Sequence, residues 1–77
     1  MAWYKYSTFL DHKSLGEFDN LYSPGTTTNW SGIYRCHACG KEVVSTQGHP
    51  LPPQNHHQHS TSQGPIQWRL IVTDAAG

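Results

Sequence analysis

Two groups of potential metal ligands lie in different parts of the 77-residue chain. Its two cysteines, Cys36 and Cys39, stand in the stretch "YRCHACGKEV", and four of its six histidines lie between His49 and His59. Thiolate and imidazole are the usual ligands of zinc, which binds four of them in a tetrahedron. The sequence therefore predicts one zinc site with two sulfur and two nitrogen ligands.

The cysteine half has the spacing of a tight turn. Two residues separate Cys36 from Cys39, so a turn can direct both sulfurs at one ion, and Gly40 can adopt the positive φ that such a turn requires. Sixteen residues separate Cys39 from His56. That gap fits a strand, a proline-rich turn and a return.

Three histidines, in "HHQH", compete for the other half of the site. His56 and His59 repeat the two-residue gap of the cysteines and are the favoured pair. His57 and His59 would share one face if the segment is extended, so His57 is the alternative ligand. His49 and His37 are weaker candidates, since His37 would point outward from between the cysteines.

Catalytic sites of known type fit these residues poorly. A zinc deaminase needs a Pro-Cys-x-x-Cys element, and Arg35 precedes Cys36 here. Four protein ligands close the zinc shell and make it structural, so we expect no enzyme. With only three ligands, a water molecule beside a carboxylate such as Glu42 would permit hydrolysis.

The size of the chain also favours a metal. A chain below roughly 80 residues usually adds disulfides, a metal or a partner subunit to a thin core, and a Cys-x-x-Cys bridge would stabilise little. The N-terminus has no signal-peptide pattern, and no apolar run has membrane-spanning length. These features predict a cytoplasmic protein that does not enter the membrane.

The charge balance is neutral. Five Lys and Arg residues match five Asp and Glu residues, so the composition does not support nucleic-acid binding. The candidates for a local basic face are Arg35, Lys41 and Arg69.

Three strands can position the two ligand groups. "GIYR" (32–35) and "KEVVST" (41–46) flank the cysteines, and "IQWRLIV" (66–72) follows the histidines. Prolines and glycines make residues 47–65 a loop. The third strand alternates, and the side chains predicted to share its buried face are Ile66, Trp68, Leu70 and Val72.

The chain is expected to be one domain, 1–77, in which an aromatic N-terminal segment and connector (1–31) packs on a β-rich core (32–72) and a tail (73–77) is frayed. A short helical turn near Leu15, Phe18 and Leu21 is compatible with their spacing. Among the aromatic residues, we expect Trp3 and Trp68 in the core and Trp30 and Tyr34 at the surface as contact residues.

The stretch "SGIYRCHACGKEV" followed by "GHPLPP" resembles small bacterial zinc-ribbon proteins. The resemblance covers roughly residues 24–72 and implies a zinc-ribbon or rubredoxin-like three-stranded antiparallel sheet, with Cys36 and Cys39 as its first ligand pair. Where such ribbons place a second Cys-x-x-Cys after Leu-Pro-Pro, this chain has Gln54 and then the histidines.

The sequence thus predicts a structural zinc-binding interaction module that binds another protein. A metal-handling or metal-sensing protein is the alternative, because excess imidazoles could capture further ions. A metal-dependent hydrolase is the third hypothesis. The partner and the oligomeric state have no signal in the sequence.

Overall fold

A computed structural model describes residues 1–53 and 64–74 of the chain. Two short 3-10 helices, Ser7–Phe9 and Gly16–Phe18, precede three strands: β1 (Gly32–Cys36), β2 (Glu42–Ser45) and β3 (Trp68–Thr73). Within these ranges, no helix has the length and apolar character needed to cross a membrane.

The strands form one antiparallel sheet in the order β2-β1-β3. β1 is the central strand, with Tyr34 opposite Val43 of β2 and Leu70 of β3. A small β-rich fold with a three-stranded antiparallel sheet and the three predicted strands are therefore confirmed. The described part of the loop, up to Pro53, contains no helix, also as predicted.

One face of the sheet carries the core. Alternate side chains of a strand point to the same face, so every second residue of β1 and β3 reaches it. The prediction for Ile66, Trp68 and Leu70 is confirmed. The buried hydrophobic residues are Tyr34, Cys36, Leu51, Ile66, Trp68 and Leu70.

A β-bulge in β3 changes which face its last residues occupy. Leu70 lies opposite Tyr34 but Val72 lies opposite Ile33, so Ile71 is an extra residue without a partner in β1. The alternation shifts by one, and Ile71 and Val72 both line a cleft with Ile33 on the other face. The prediction that Val72 shares the face of Trp68 was therefore wrong.

The N-terminal segment packs on the sheet only in part. Tyr22 exchanges two backbone hydrogen bonds of 2.8 Å with Trp68 at the edge of β3, and Phe18 packs against the core. Trp3, expected in the core, is 95% exposed. It lines a cleft on the opposite face, because the first four residues of the chain cross that face.

The two predicted surface aromatics are both more buried than expected. Tyr34 is only 2% exposed, because it is two residues from Cys36 in β1 and therefore shares its face. Its hydroxyl donates to the carbonyl of Trp30 at 2.7 Å. Trp30 itself is half-buried against the core.

Hydrogen bonds tie the connector to the start of the loop and to the end of β3. The buried hydroxyl of Thr28 donates to the carbonyls of Thr46 and His49 at 2.8 and 3.2 Å. Thr73, assigned to the frayed tail from sequence, belongs to β3, and its hydroxyl donates to the carbonyl of Ser31 at 2.7 Å. This side-chain hydrogen bond holds Thr73 in place as the last residue of β3.

Gly32 allows β1 to approach the bulge of β3 closely, and a substitution at Gly32 can test this contact. A Cβ atom at Gly32 would collide with the carbonyl oxygen of Val72 and lie 2.9 Å from the Cα of Thr73. Gly32→Ala is therefore expected to lower the free energy of unfolding by about 1–3 kcal/mol, measured by urea denaturation.

Gly16→Ala is the matched control. No heavy atom lies within 4 Å of the added Cβ atom, and the φ of Gly16 is not positive. Its free energy of unfolding should change by less than about 1 kcal/mol. Equal stabilities of the two variants would contradict the close packing at Gly32.

Candidate metal centre

The two cysteines lie in the hairpin turn that joins β1 to β2. The N–H of Gly40 donates to the carbonyl of Cys36 at 2.8 Å, and the N–H of Cys36 donates to the carbonyl of Lys41 at 2.7 Å. Gly40 has a φ of +81°, a conformation that glycine adopts without steric cost. The predicted tight turn with a glycine after Cys39 is confirmed.

The two thiols differ in their exposure to solvent. Cys36 is completely buried, because it points to the core face opposite Trp68. Cys39 is exposed. An ion bound by both sulfurs would therefore sit at the end of the core, where one side of it meets solvent.

The surroundings of Cys36 favour its thiolate form. Burial would raise the pKa of this thiol, but hydrogen bonds from the N–H groups of Cys39 and Ala38, the Cys39 thiol and the N–H of Gln67 outweigh it. The pKa of Cys36 consequently lies below its ordinary value. The thiolate is the form that binds metals.

The chain entering β3 is held against this turn. The N–H of His37 donates to the carbonyl of Gln67 at 2.7 Å, while the N–H of Gln67 is one of the groups that lower the pKa of Cys36. Sequence reasoning did not identify Gln67, because its main-chain groups make both contacts and its residue type gives no signal.

The predicted histidine ligands, His56, His57 and His59, lie outside the described residues, so the choice among them stays a prediction. Across residues 1–53 and 64–74, no group of three or more His, Cys, Asp or Glu side chains is placed to hold a metal ion.

The two weaker histidine candidates are both exposed, but in different places. His37 lies in the turn itself. His49 lies beyond the opposite end of β2, a strand of four residues that spans roughly 13 Å. His49 is therefore far from the cysteine turn.

Glu42, the carboxylate named for the hydrolase hypothesis, lies on the other face of the sheet. It is opposite Arg35, which alternates with the buried residues of β1. Its Oε1 lies 2.6 Å from the N-terminal nitrogen of Met1. Glu42 is thus directed away from the face of Cys36.

The lowered pKa of Cys36 can be tested by pH titration of the chelator-treated protein, with an osmolyte such as trimethylamine N-oxide added to keep the metal-free chain folded. In the folded chain the 13Cβ signal of Cys36 should titrate below 9.0, the ordinary thiol value. Because the folded-state pKa is depressed, the stabilisation by the thiolate is complete above 9.0 and is lost as the pH falls through the folded-state pKa. The free energy of unfolding should accordingly rise with pH between the folded-state pKa of Cys36 and 9.0, and then stay constant.

Cys39→Ala, kept folded by the same osmolyte, tests the cause of this shift. The variant loses the thiol that hydrogen-bonds Cys36 but keeps the backbone N–H. The pKa of Cys36 should therefore rise toward its ordinary value without reaching it. A Cys36 pKa at or above 9.0 in the wild-type chain would contradict the described hydrogen bonds.

Comparison with known proteins found a similar protein whose name states no activity. The chain is 58% identical over 57 residues to a protein of Escherichia coli named "Protein L", and the match covers 73% of this chain and 64% of that protein. No family model matches the sequence. No solved structure matches it either.

Proposed function

We propose that the protein is a small interaction module whose fold is stabilised by one zinc ion. Cys36 and Cys39 would bind the ion together with two clustered histidines, His56 and His59, and His57 is the alternative to either. The observation that carries this proposal is the hairpin turn, which presents both cysteines and lowers the pKa of Cys36 by hydrogen bonds.

The donor set of the turn fits half of a zinc site. Two sulfur ligands from Cys-x-x-Cys-Gly are typical of structural zinc, and burial against Trp68 would shield the Cys36 sulfur from water. Gln67, which is hydrogen-bonded to this turn, follows His59 by eight residues. Eight residues can span up to roughly 27 Å, so a histidine ligand is within reach of the turn.

The small core supports a structural role for the metal. Six buried hydrophobic residues form it in the described ranges, whereas structural zinc sites in small peptides provide about 10–16 kcal/mol near neutral pH. Whole domains are stable by only about 5–15 kcal/mol. Loss of the ion would therefore unfold the domain.

Exposed apolar side chains support the interaction role. Trp3, Phe9 and Val44 are 95%, 82% and 80% exposed. Val44 lies opposite Ile33, and Trp3 lines a cleft with Ile33, so both belong to the face away from the core. Exposed aromatic side chains are typical contact residues of protein partners, so Trp3 and Phe9 take the place of Trp30 and Tyr34 in this proposal.

Metal handling is the second candidate, because the turn is open on one side. Both Cys39 and the neighbouring His37 are exposed, which would allow an ion to exchange with solvent. The number of bound ions and their affinity distinguish the two functions.

Elemental analysis and X-ray absorption on protein purified without a tag or added metal test the proposal. We expect one tightly held zinc ion per chain with two sulfur and two nitrogen ligands. Several loosely held ions would favour metal handling. A folded protein that contains no metal would refute both.

Ligand substitution tests whether the metal is required for folding. Cys39→Ser should leave the chain largely unfolded, with collapsed amide dispersion in its NMR spectrum, because a zinc ligand is lost. His37→Ala is the matched control in the same turn, and it keeps the backbone N–H that donates to Gln67. It should therefore fold like the wild type.

Alanine substitutions of His56, His57 and His59, one at a time, identify the nitrogen ligands. Two of the three should unfold the chain and the third should not. Native-like dispersion in metal-free Cys39→Ser would show that the fold does not depend on the ion.

A further inference from the structure

We propose that the protein has a second site, a cleft beside Arg69 that binds the oxyanion group of a small organic molecule. The cleft lies between the segment of residues 11–19 and β3. Its chemistry is independent of the cysteines, so it does not rest on the zinc proposal.

Arg69 is the central residue of this cleft. Its Nε is buried and has no hydrogen-bond partner among the described residues. A buried donor without a partner costs free energy, and a guanidinium pairs best with the two oxygens of a phosphate or carboxylate. Arg69 lines the cleft, so an oxyanion there would pair with its guanidinium, and a rotation of the side chain on binding would give Nε a partner.

The position of Arg69 in the sheet makes an anion still more favourable. Arg69 lies directly opposite Arg35 in the neighbouring antiparallel strand, and like charges in that arrangement repel each other. The described residues give neither arginine a carboxylate within 4 Å, since Glu42 pairs with the N-terminal nitrogen of Met1. An anion bound to Arg69 would reduce this repulsion.

The guanidinium of Arg35 points elsewhere. A Cβ atom added at Gly40 would lie 2.9 Å from its Nη2, so this group rests against the glycine of the cysteine turn. Arg35 also lines a different cleft. Arg69 is therefore the arginine that serves the proposed site, and Arg35 is a neighbour of the same type outside it.

The other walls of the cleft fit a small organic ligand. His12, Lys13 and Ser14 supply further hydrogen-bond donors, while Leu15 and Phe18 supply apolar contacts. The volume is about 450 Å³, within the range of small-molecule sites.

Two carboxylates in the cleft disfavour the binding of a longer, multiply charged anion. Asp11 and Asp19 line the same cleft, and the whole chain has no net charge. A nucleic-acid backbone, with its repeated phosphates, would meet these acids and no extended basic surface. A single oxyanion group paired with Arg69 and Lys13 meets less of this repulsion than a chain of phosphates.

NMR titration of the full chain as purified tests the site. The probes are inorganic phosphate, phenyl phosphate and benzoate at constant ionic strength, which holds general screening fixed. Phenyl phosphate or benzoate should cause saturable shifts at the Arg69 side-chain N–H and at the amides of residues 11–19. The tighter of the two identifies a phosphate or a carboxylate ligand, and inorganic phosphate should bind more weakly than phenyl phosphate.

Matched variants separate the site from general charge attraction. Arg69→Gln should weaken binding by about tenfold or more, while Arg35→Gln should change it by about twofold at most. Lys13→Gln, an exposed position, should weaken binding by about threefold and provides the test if Arg69→Gln does not fold.

Three results would overturn the proposal. The first is the absence of saturable shifts with all three probes. The second is equal weakening by Arg69→Gln and Arg35→Gln, or no weakening by Lys13→Gln where the Arg69 variant is unfolded. The third is a single-stranded oligonucleotide that binds at these residues more tightly than phenyl phosphate.

Discussion

The pairing of Cys36 with Trp68 across β1 and β3 is the contact on which the rest of this small structure depends. Both side chains are completely buried, and Trp68 is the largest side chain in the core. On the edge of β3 that faces away from β1, Trp68 exchanges two backbone hydrogen bonds with Tyr22. One position therefore joins the N-terminal segment, the core and the cysteine turn.

This pairing also explains why the buried thiol of Cys36 has a lowered pKa. A buried thiol surrounded only by hydrocarbon would hold its proton, since burial disfavours the charged form. Here the adjacent turn and Gln67, the residue before Trp68, direct N–H groups at the sulfur, and the pKa falls. The same strand register that forms the core thus favours the thiolate.

The two faces of the sheet have different roles because the chain is too short to cover both. Antiparallel sheets commonly bury one face and leave the other partly solvated. The uncovered face carries Val44, Ile71 and the two paired arginines, and the first residues of the chain cross it without burying their own aromatic rings. The proposed contacts with a partner use this face, and the proposed oxyanion cleft reaches it through Arg69 and Ile71.

The described residues on either side of 54–63 are both fixed to the core. Leu51 is buried, and its N–H donates to the carbonyl of Thr26 at 2.8 Å. Ile66 is buried as well, one residue before Gln67 contacts the cysteine turn. The core therefore fixes Leu51 and Ile66, the described residues that precede and follow this stretch in the sequence.

The sequence by itself determined the three strands, the hairpin turn with its glycine, and the buried face of Ile66, Trp68 and Leu70. These features depend on local propensity and on side-chain alternation, which neighbouring residues decide. Only the tertiary structure placed Tyr34 inside and Trp3 outside, moved Val72 to the other face, and set Arg35 beside Arg69. The face of Val72 depends on a single bulge, where one extra residue reverses the face of every later side chain, and the pairing of Arg35 with Arg69 depends on strand register. The positions of Tyr34 and Trp3 depend on which face of the sheet the rest of the chain covers, and no local pattern specifies that.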